Sequence, residues 1–337
     1  MISVVFVQFR HFETSSIDQS IFNCFELNSV QSVQILDSRA LLQIIVPSSF
    51  TIKKLEVRKT RLHWIHFQPN DAITELMIMY SSLGQVPPSL KGLKNLITLQ
   101  LLHSHIQHLN LDLIQWCHSL DSLDLTYNNI HTITSTINSG HKRNLFQLNV
   151  SHNKLRILNL ELLAPLGWFN YVNLSHNAIE LLVGRFSSAH LYKLMLSNNR
   201  FKTLDFCQWQ TIPSLQVLYL NSNELTRIPN CMHHLPFVNY LNFSNNKLRN
   251  VNMDVFGGMD GLVSLDVSAN QISFIVFRED KHPKRLERLM LSRNKIDCRH
   301  VTEFPFCPLD IEFQATNDQS SWARNDNKLK KQLIIVT

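Results

Sequence analysis

Cys207 and Cys231 could form a disulfide, provided that the fold holds their thiols side by side. Each cysteine lies eight residues after an asparagine, Cys207 after Asn199 and Cys231 after Asn223. If the asparagines occupy equivalent places in two stacked coils, the cysteines are neighbours at roughly the 5 Å strand spacing. A disulfide requires Cα atoms about 4.4–6.8 Å apart, so the spacing predicts a Cys207–Cys231 bond. The alternative is two buried free thiols, which pack well in any core.

The remaining cysteines lie elsewhere in the chain. Cys298 and Cys307 frame the end of the last repeat, where a second disulfide would close a terminal cap. Cys24 and Cys117 have no evident partner in the sequence. Disulfides persist in oxidising compartments and are rare in the cytosol. These pairings therefore favour an extracellular protein, whereas six reduced thiols would favour an intracellular one.

Histidines are the second set of residues with potential chemistry. His152 and His176 share one place in adjacent repeats, with His103 in the same register, so stacked imidazoles could form a pH-sensitive pair. The alternative is that they are ordinary variants of a recurring phrase. The run HSHIQH at residues 103–108 is not predicted to bind zinc, because Ile106 must point inward and the histidines lie across a turn.

No pattern typical of an enzyme accompanies these residues. The sequence has no glycine-rich phosphate loop, no His-Glu metal pair at helical spacing and no nucleophile elbow. Acidic residues are scattered through the chain instead of paired. We therefore predict no catalytic residue, no metal ion and no cofactor.

A repeated phrase must position all of these residues. LNVSHNKL begins at Leu148, and VNLSHNAI begins 24 residues later at Val172. The full phrase has apolar residues at positions 1, 4, 6 and 11 and an asparagine at position 9. Eight clear copies recur every 22–25 residues, starting at Leu120, Leu145, Phe169, Leu191, Leu215, Val238, Leu262 and Leu286. Four copies with serine or threonine at position 9 start at Val30, Ile52, Ile73 and Leu96.

This is the leucine-rich repeat pattern, whose period is about 20–29 residues. Residues at positions 4 and 6 alternate inward along a short strand, so the residues between them face outward. The asparagine amide, both donor and acceptor, can satisfy backbone groups where the chain turns inward. We predict an α/β leucine-rich repeat solenoid of about twelve repeats. Its curved parallel sheet forms the concave face, and irregular or short helical segments form the convex face.

The repeats divide the 337-residue chain into an N-terminal segment or cap at 1–29, the solenoid at 30–296, and a C-terminal cap and tail at 297–337. Only 8 glycines and 11 prolines argue against long linkers. No apolar run reaches the roughly 18 residues of a membrane span, so we predict no transmembrane segment. The apolar N-terminus could be the stub of a secretory signal, although it lacks a basic start and a small-residue cleavage site.

The concave face carries the predicted binding residues. Tyrosine offers a large contact area at small entropic cost and is favoured at interfaces, although strands favour aromatic residues in any case. The stacked coils bring to this face Tyr127, Tyr171, Tyr192, Tyr219, Tyr240, His152 and His176. Glycans on three Asn-x-Ser sequons would project from the same face. The sequons are at Asn149, Asn173 and Asn242.

Basic residues cluster at both ends of the repeat array. The second repeat contains Lys53, Lys54, Arg58 and Lys59. The last repeat contains Lys284, Arg285, Arg288 and Arg293. Together with a net charge of +6, these clusters permit an anionic partner. The alternative is a solvated surface that covers the ends of the solenoid.

Two stretches carry a resemblance to a known family. The irregular repeats, such as LNLELLAPLGWFNYVNLSHNAI, resemble those of secreted insect proteins, and LERLMLSRNKIDCRHVTEF is similar to the end of the array in mosquito leucine-rich immune molecules. The resemblance implies secretion into haemolymph and, for some members, disulfide pairing and escort of complement-like thioester proteins. This chain lacks the family's cysteine-rich segment after the array, and no apolar heptads of a coiled coil follow Cys307.

These observations predict a secreted, non-enzymatic scaffold that binds another protein in innate immunity. The partner would be a complement-like thioester protein or a pathogen surface ligand. One alternative is a receptor-like sensor of an anionic ligand, either nucleic acid or glycan, with nucleic acid the less favoured. The other is an intracellular, cytoplasmic adaptor with reduced cysteines.

Overall fold

The chain forms two compact units, Met1–Leu191 (unit 1) and Tyr192–Thr337 (unit 2). The computed structural model describes residues 6–23, 30–136, 145–276, 278, 281–296 and 334–336. Within each unit a short strand recurs once per repeat, and these strands pair in parallel to form the front sheet of that unit. The outward-facing side of this sheet is the front face.

The front sheet of unit 1 has eight strands, each followed by a return segment behind it. Among the described residues of this unit, 3-10 helices lie in the return segments at Pro88–Gly92, Leu111–Leu113 and Leu160–Leu166. In chain order the strands and the α-helix of the unit are β1 (Phe6–Arg10), β2 (Ser16–Ile17), α1 (Gln19–Asn23), β3 (Ser32–Leu36), β4 (Gln43–Val46), β5 (Lys54–Arg58), β6 (Trp64–Phe67), β7 (Glu75–Met79), β8 (Thr98–Leu102), β9 (His108–Asn110), β10 (Ser122–Asp124), β11 (Thr132–Thr134), β12 (Gln147–Asn149), β13 (Ile157–Asn159), β14 (Tyr171–Asn173) and β15 (Leu181–Val183).

Unit 2 is built in the same way, and its front sheet has six strands. Its 3-10 helices span Met232–His234 and Met253–Phe256. Its strands are β16 (Lys193–Met195), β17 (Val217–Tyr219), β18 (Tyr240–Asn242), β19 (Asn250–Asn252), β20 (Ser264–Asp266), β21 (Phe274–Val276), β22 (Arg288–Met290) and β23 (Ile334–Val336).

The strand register confirms the leucine-rich repeat solenoid. Leu148 in β12 pairs with Leu123 in β10 on one side and with Val172 in β14 on the other, so residues one period apart are neighbours. All three side chains are buried, as the inward positions require. Each of the twelve predicted repeats contributes one front strand, and β1 adds another before the first of them.

The return segments contain more strand than the sequence predicts. In unit 1, β2, β4 and β6 form a small parallel sheet, and β9 pairs with β11 and β13 with β15. In unit 2, β19 pairs with β21. Each of these strands has only one or two inward side chains. That is too few to produce a recognisable alternation of apolar and polar residues in the sequence.

The regular spacing of the asparagines along the chain produces the predicted amide ladder. Asn153 Oδ1 accepts from the backbone N–H of Ile130 in the preceding repeat at 2.8 Å. Its Nδ2 donates to the carbonyls of Leu125 and Val150 at 3.0 and 3.1 Å. The same arrangement recurs at Asn128, Asn177, Asn223, Asn246, Asn270 and Asn294.

In the first four repeats, hydroxyls replace these amides with fewer bonds. Ser81 Oγ and Ser104 Oγ lie 2.8 Å apart. Thr60 Oγ1 accepts from the Leu62 N–H within its own turn at 3.4 Å. A hydroxyl has one donor, whereas an amide has two. These turns are therefore joined to their neighbours by fewer side-chain hydrogen bonds.

Candidate functional site

Five aromatic rings form a continuous stack in unit 1. The rings belong to position 8 of successive repeats, immediately before the ladder residue. Consecutive ring centroids are 4.0–4.4 Å apart, and the ring planes are inclined by 9–17°. We call this stack the aromatic column; its members are Tyr80, His103, Tyr127, His152 and His176.

Position 8 has a left-handed backbone in every repeat, with φ between 47° and 58°. Asparagine, aspartate and histidine tolerate this conformation, but it is unusual for a bulky side chain. Histidines in the column therefore suit the turn, whereas Tyr80 and Tyr127 adopt a backbone that costs about 1–2 kcal/mol. Both rings remain 46% exposed. Strained residues that persist on a surface often serve binding.

The structure gives the position of three residues that were predicted on the concave face. Tyr127, His152 and His176 lie in the turn after β10, β12 and β14. The reason is that position 8 closes the turn towards the ladder asparagine. In the sequence, all five members of the column can be recognised because each stands immediately before a ladder residue. A comparison of the histidines alone does not reveal Tyr80.

The column lowers the pKa of His152 below its ordinary value. Partial burial of the imidazole is the main cause, followed by charge repulsion from His176 and then from His103. The other ring packed against His152 belongs to Tyr127. The neutral imidazole is therefore the form that the folded stack favours.

We expect the stability of the chain to decrease as the pH falls below about 6.5, in part because of His152. A group whose folded pKa is depressed binds fewer protons in the folded than in the unfolded state, so acid favours unfolding. His152→Tyr keeps a stacked ring without a group that titrates in this range. The difference between the urea midpoints at about pH 5 and about pH 8 should be smaller in this variant.

His105→Gln is the matched control, because His105 is an exposed histidine close to the column. Its pH dependence should equal that of the unaltered chain. An undiminished difference between the two midpoints in His152→Tyr would contradict a role for His152 in the acid sensitivity.

Three tyrosines lie on the front strands. Tyr171 and Tyr240 occupy position 3, and burial raises the pKa of both phenols. Tyr219, at position 5, packs against Tyr240 with ring centroids 5.4 Å apart, and Lys193 Nζ lies 5.2 Å from the Tyr219 centroid. Tyr192 immediately precedes β16 and is exposed.

The basic residues of the second repeat are largely paired with acids. Lys54 Nζ lies 3.2 Å from Glu75, and Arg58 lies 2.8 Å from Glu56. Lys59 Nζ is 4.0 Å from Asp37, and the fourth member, Lys53, precedes β5. These pairs reduce the positive potential that the sequence suggests for this surface.

The three sequons coincide with a structural motif. At position 5, Oδ1 of Asn149, Asn173 and Asn242 accepts from the backbone N–H of the serine two residues later, at 2.8–3.1 Å. Asp124 and Asp266 make the same bond. The Asn-x-Ser phrase is therefore explained by the turn itself, independently of any glycan.

The accessibility of the sequon amides differs. Asn242 is only 9% exposed, and its Nδ2 donates to Tyr240 Oη at 3.3 Å. Asn149 Nδ2 donates to Asp124 Oδ2 at 3.2 Å. A glycan on either nitrogen would disrupt these bonds. Glycosylation at the three sites therefore remains a prediction of the sequence alone.

Cys207 and Cys231 form a disulfide, the pair that their equivalent positions predict. Their Cα atoms are 5.1 Å apart, within the range that a disulfide requires. Cys117 is a buried thiol that donates to the Leu90 carbonyl. The predicted Cys298–Cys307 bond, Cys24 and most of the C-terminal cap lie outside the described residues.

Two further features of the described residues bear on function. One cluster of potential metal ligands is present, comprising Asp205, Cys207 and Cys231, and its two cysteines are already joined in the disulfide. No helix in the described ranges combines the length and apolar character of a membrane span.

The stacked strands and the amide ladder show the leucine-rich repeat solenoid fold. A model of the leucine-rich repeat family matches residues 189–248. Human leucine-rich repeats and immunoglobulin-like domains protein 1 is 33% identical over 105 residues, which cover 31% of this chain and 10% of the human protein. The chain thus spans a small part of the length of that relative.

Solved structures share the fold at low sequence identity. The leucine-rich repeat domain of APL1B is 23% identical with a TM-score of 0.55, covering 73% of this chain and 70% of that one. The LRIM1/APL1C complex is 19% identical with a TM-score of 0.60, covering 78% of this chain and 53% of that one. APL1B and LRIM1 are mosquito proteins. The TLR13–ssRNA13 complex is 16% identical with a TM-score of 0.61, covering 87% of this chain and 51% of that one.

Proposed function

We propose that the chain is a non-enzymatic scaffold that binds another protein through the aromatic column. The observation that carries this proposal is the pair of exposed tyrosines, Tyr80 and Tyr127, held in a left-handed turn that favours smaller polar residues. The neighbouring imidazoles already fix their rings. Binding would therefore order few side chains, and the contact area of the rings would be available at little entropic cost.

The front-face tyrosines extend this surface within each unit. Tyr171 lies on β14 of unit 1, and Tyr219 and Tyr240 form a pair on β17 and β18 of unit 2. Tyrosines of this kind are frequent anchors at protein interfaces. Unit 2 would then contribute a second contact, in which Lys193 adds a cation beside the Tyr219 ring.

We further propose that the protein is secreted and acts in innate-immune recognition. The Cys207–Cys231 disulfide supports an oxidising compartment. The sequence of the last repeat supports the immune role through its resemblance to the mosquito family. The partner proposed on this basis is a complement-like thioester protein or a pathogen surface ligand.

The test uses a variant that removes the rings without harming the turn. Tyr80→Asn with Tyr127→Asn places asparagine where unit 2 has Asn198 and Asn245, both in the left-handed conformation. The variant and the unaltered chain are immobilised and exposed to extracellular fluid of the source organism. We expect the variant to retain a thioester protein at least about tenfold less than the unaltered chain, as for removal of interface anchors.

Stability separates the functional role from a structural one. Asparagine relieves the left-handed backbone but removes stacking worth about 0.5–1.5 kcal/mol per ring pair, so the urea midpoint should change little. Trp116→Asn is the control, since it removes an exposed aromatic ring from a return segment outside the column. A large loss of stability with unchanged retention would assign the column to folding and contradict the proposal.

A further inference from the structure

Unit 2 carries a row of exposed basic residues beside its amide ladder. The row follows positions 10 and 12 of the repeats, with Arg293 on the other side of ladder residue Asn294. Backbone bonds define the two columns: Lys247 N–H donates to the Leu225 carbonyl, and Thr226 N–H donates to the Lys202 carbonyl. We call the row the basic edge; its members are Arg200, Lys202, Lys247, Arg249, Arg293 and Lys295.

The charges of the basic edge occur in pairs, one pair in every second repeat. Repeats beginning at Leu191, Val238 and Leu286 each carry two basic residues, whereas the intervening repeats carry Glu224 with Thr226 and Gln271 with Ser273. Neighbouring strands are about 4.8 Å apart, so the pairs recur at intervals of roughly 10 Å.

Most of these charges are uncompensated. Among the described residues of unit 2, Glu224 is the acidic residue in the two columns, and its Oε2 accepts from Lys247 Nζ at 2.8 Å. The other five members make no ion pair or side-chain hydrogen bond with any described residue. All six are exposed, so their charge faces solvent.

The pKa of Glu224 is lowered by three members of the basic edge. It is lowered first by the hydrogen bond from Lys247, then by the charge of Lys247, and further by Lys202 and Arg200. Positive charges from the repeat before Glu224 and from the repeat after it therefore act on this one carboxylate. An anion placed along the edge would experience the same attraction.

We propose that the basic edge of unit 2 binds a sulfated polysaccharide along its length. A chain built of sulfated disaccharides presents its anionic groups at regular intervals, which suits charge pairs that recur in alternate repeats. Single-stranded nucleic acid is disfavoured, because its bases require aromatic side chains on which to stack. Within unit 2, the described residues of the two columns include no aromatic side chain.

The test measures binding of heparin to the whole chain as a function of salt concentration. In the edge variant, Lys202→Ser with Arg249→Ser removes two exposed cations that form no ion pair with a described residue. The control variant, Arg185→Ser with Lys281→Ser, removes one exposed arginine and one exposed lysine outside the edge. Desulfated heparin and a poly-U RNA strand serve as comparison ligands, and urea unfolding shows that each variant is folded.

We expect the edge variant to bind heparin roughly tenfold more weakly, or worse, at low salt. Its plot of log affinity against log salt should be shallower by about one unit per cation removed. The control variant should lose markedly less affinity, and desulfated heparin should not bind. No heparin binding, equal losses in both variants, or tighter binding of poly-U would overturn the proposal. None of these results depends on the aromatic column, so the proposed protein-binding function is tested separately.

Discussion

Leu148→Asp is expected to unfold the repeats around β12. Leu148 is fully buried and lies between Leu123 and Val172 of the adjacent strands. An aspartate there loses the apolar contacts of the leucine and buries a carboxylate without a partner. Each effect alone costs several kcal/mol, so the free energy of unfolding should fall by about 5 kcal/mol or more.

Urea unfolding followed by circular dichroism measures this loss, and hydrogen exchange locates it. Repeats contact only their neighbours, so protection should disappear first in the repeats that flank β12. Gln147→Asp is the control: the adjacent side chain is exposed, and its replacement should change stability by no more than about 0.5 kcal/mol. Equal losses in the two variants would contradict the alternation of inward and outward side chains.

Asn153→Leu should have the second-largest effect, about 4 kcal/mol. The asparagine is buried and joins the Ile130 N–H to the carbonyls of Leu125 and Val150. Leucine keeps the approximate size but offers no hydrogen bond, so these backbone groups lose a partner inside the protein. Each buried polar group left unsatisfied costs about 1–3 kcal/mol.

The matched control is Asn129→Leu. Asn129 stands next to ladder residue Asn128 and is only half-buried, so its side chain can be replaced at little cost. The two variants are compared by urea unfolding, with exchange of the Ile130 amide as the local readout. A ladder variant as stable as the control would show that the amides do not hold the repeats together.

The sequence predicts the front sheet well because the solenoid repeats one solution many times. A single copy of the phrase is ambiguous, but copies in register at Leu123, Leu148 and Val172 leave one way to stack the strands. The same reasoning placed Cys207 beside Cys231. In both cases a fixed period converts distance along the chain into contact between neighbours.

The candidate site was less predictable, because its features depend on backbone conformation and on contacts between side chains. The phrase does not show that position 8 has a left-handed backbone, which places Tyr127, His152 and His176 in a turn. It also does not show that Lys54 and Arg58 face Glu75 and Glu56. Such pairings depend on outward residues, whose identities the repeat leaves unconstrained.

The basic edge illustrates the same limit. Arg200, Lys202, Lys247 and Arg249 are separated in the sequence by loops and apolar residues, and no basic run appears. The structure aligns them because positions 10 and 12 form columns, as the backbone bond from Thr226 to Lys202 shows. The composition shows a net charge of +6, but only the stacking of repeats shows that basic side chains gather along one edge of unit 2.

The central claim, that residues one repeat apart are neighbours, is tested most directly by peptide mapping without reduction. Trypsin cleaves after Lys202, Arg227 and Lys247, so Cys207 and Cys231 fall in separate peptides, 203–227 and 228–247. For protein purified under oxidising conditions, we predict that these two peptides are recovered joined by a disulfide. Recovery of the two peptides as separate alkylated species would contradict the disulfide, and recovery of either peptide joined to a different cysteine would contradict the stacking on which every proposed surface depends.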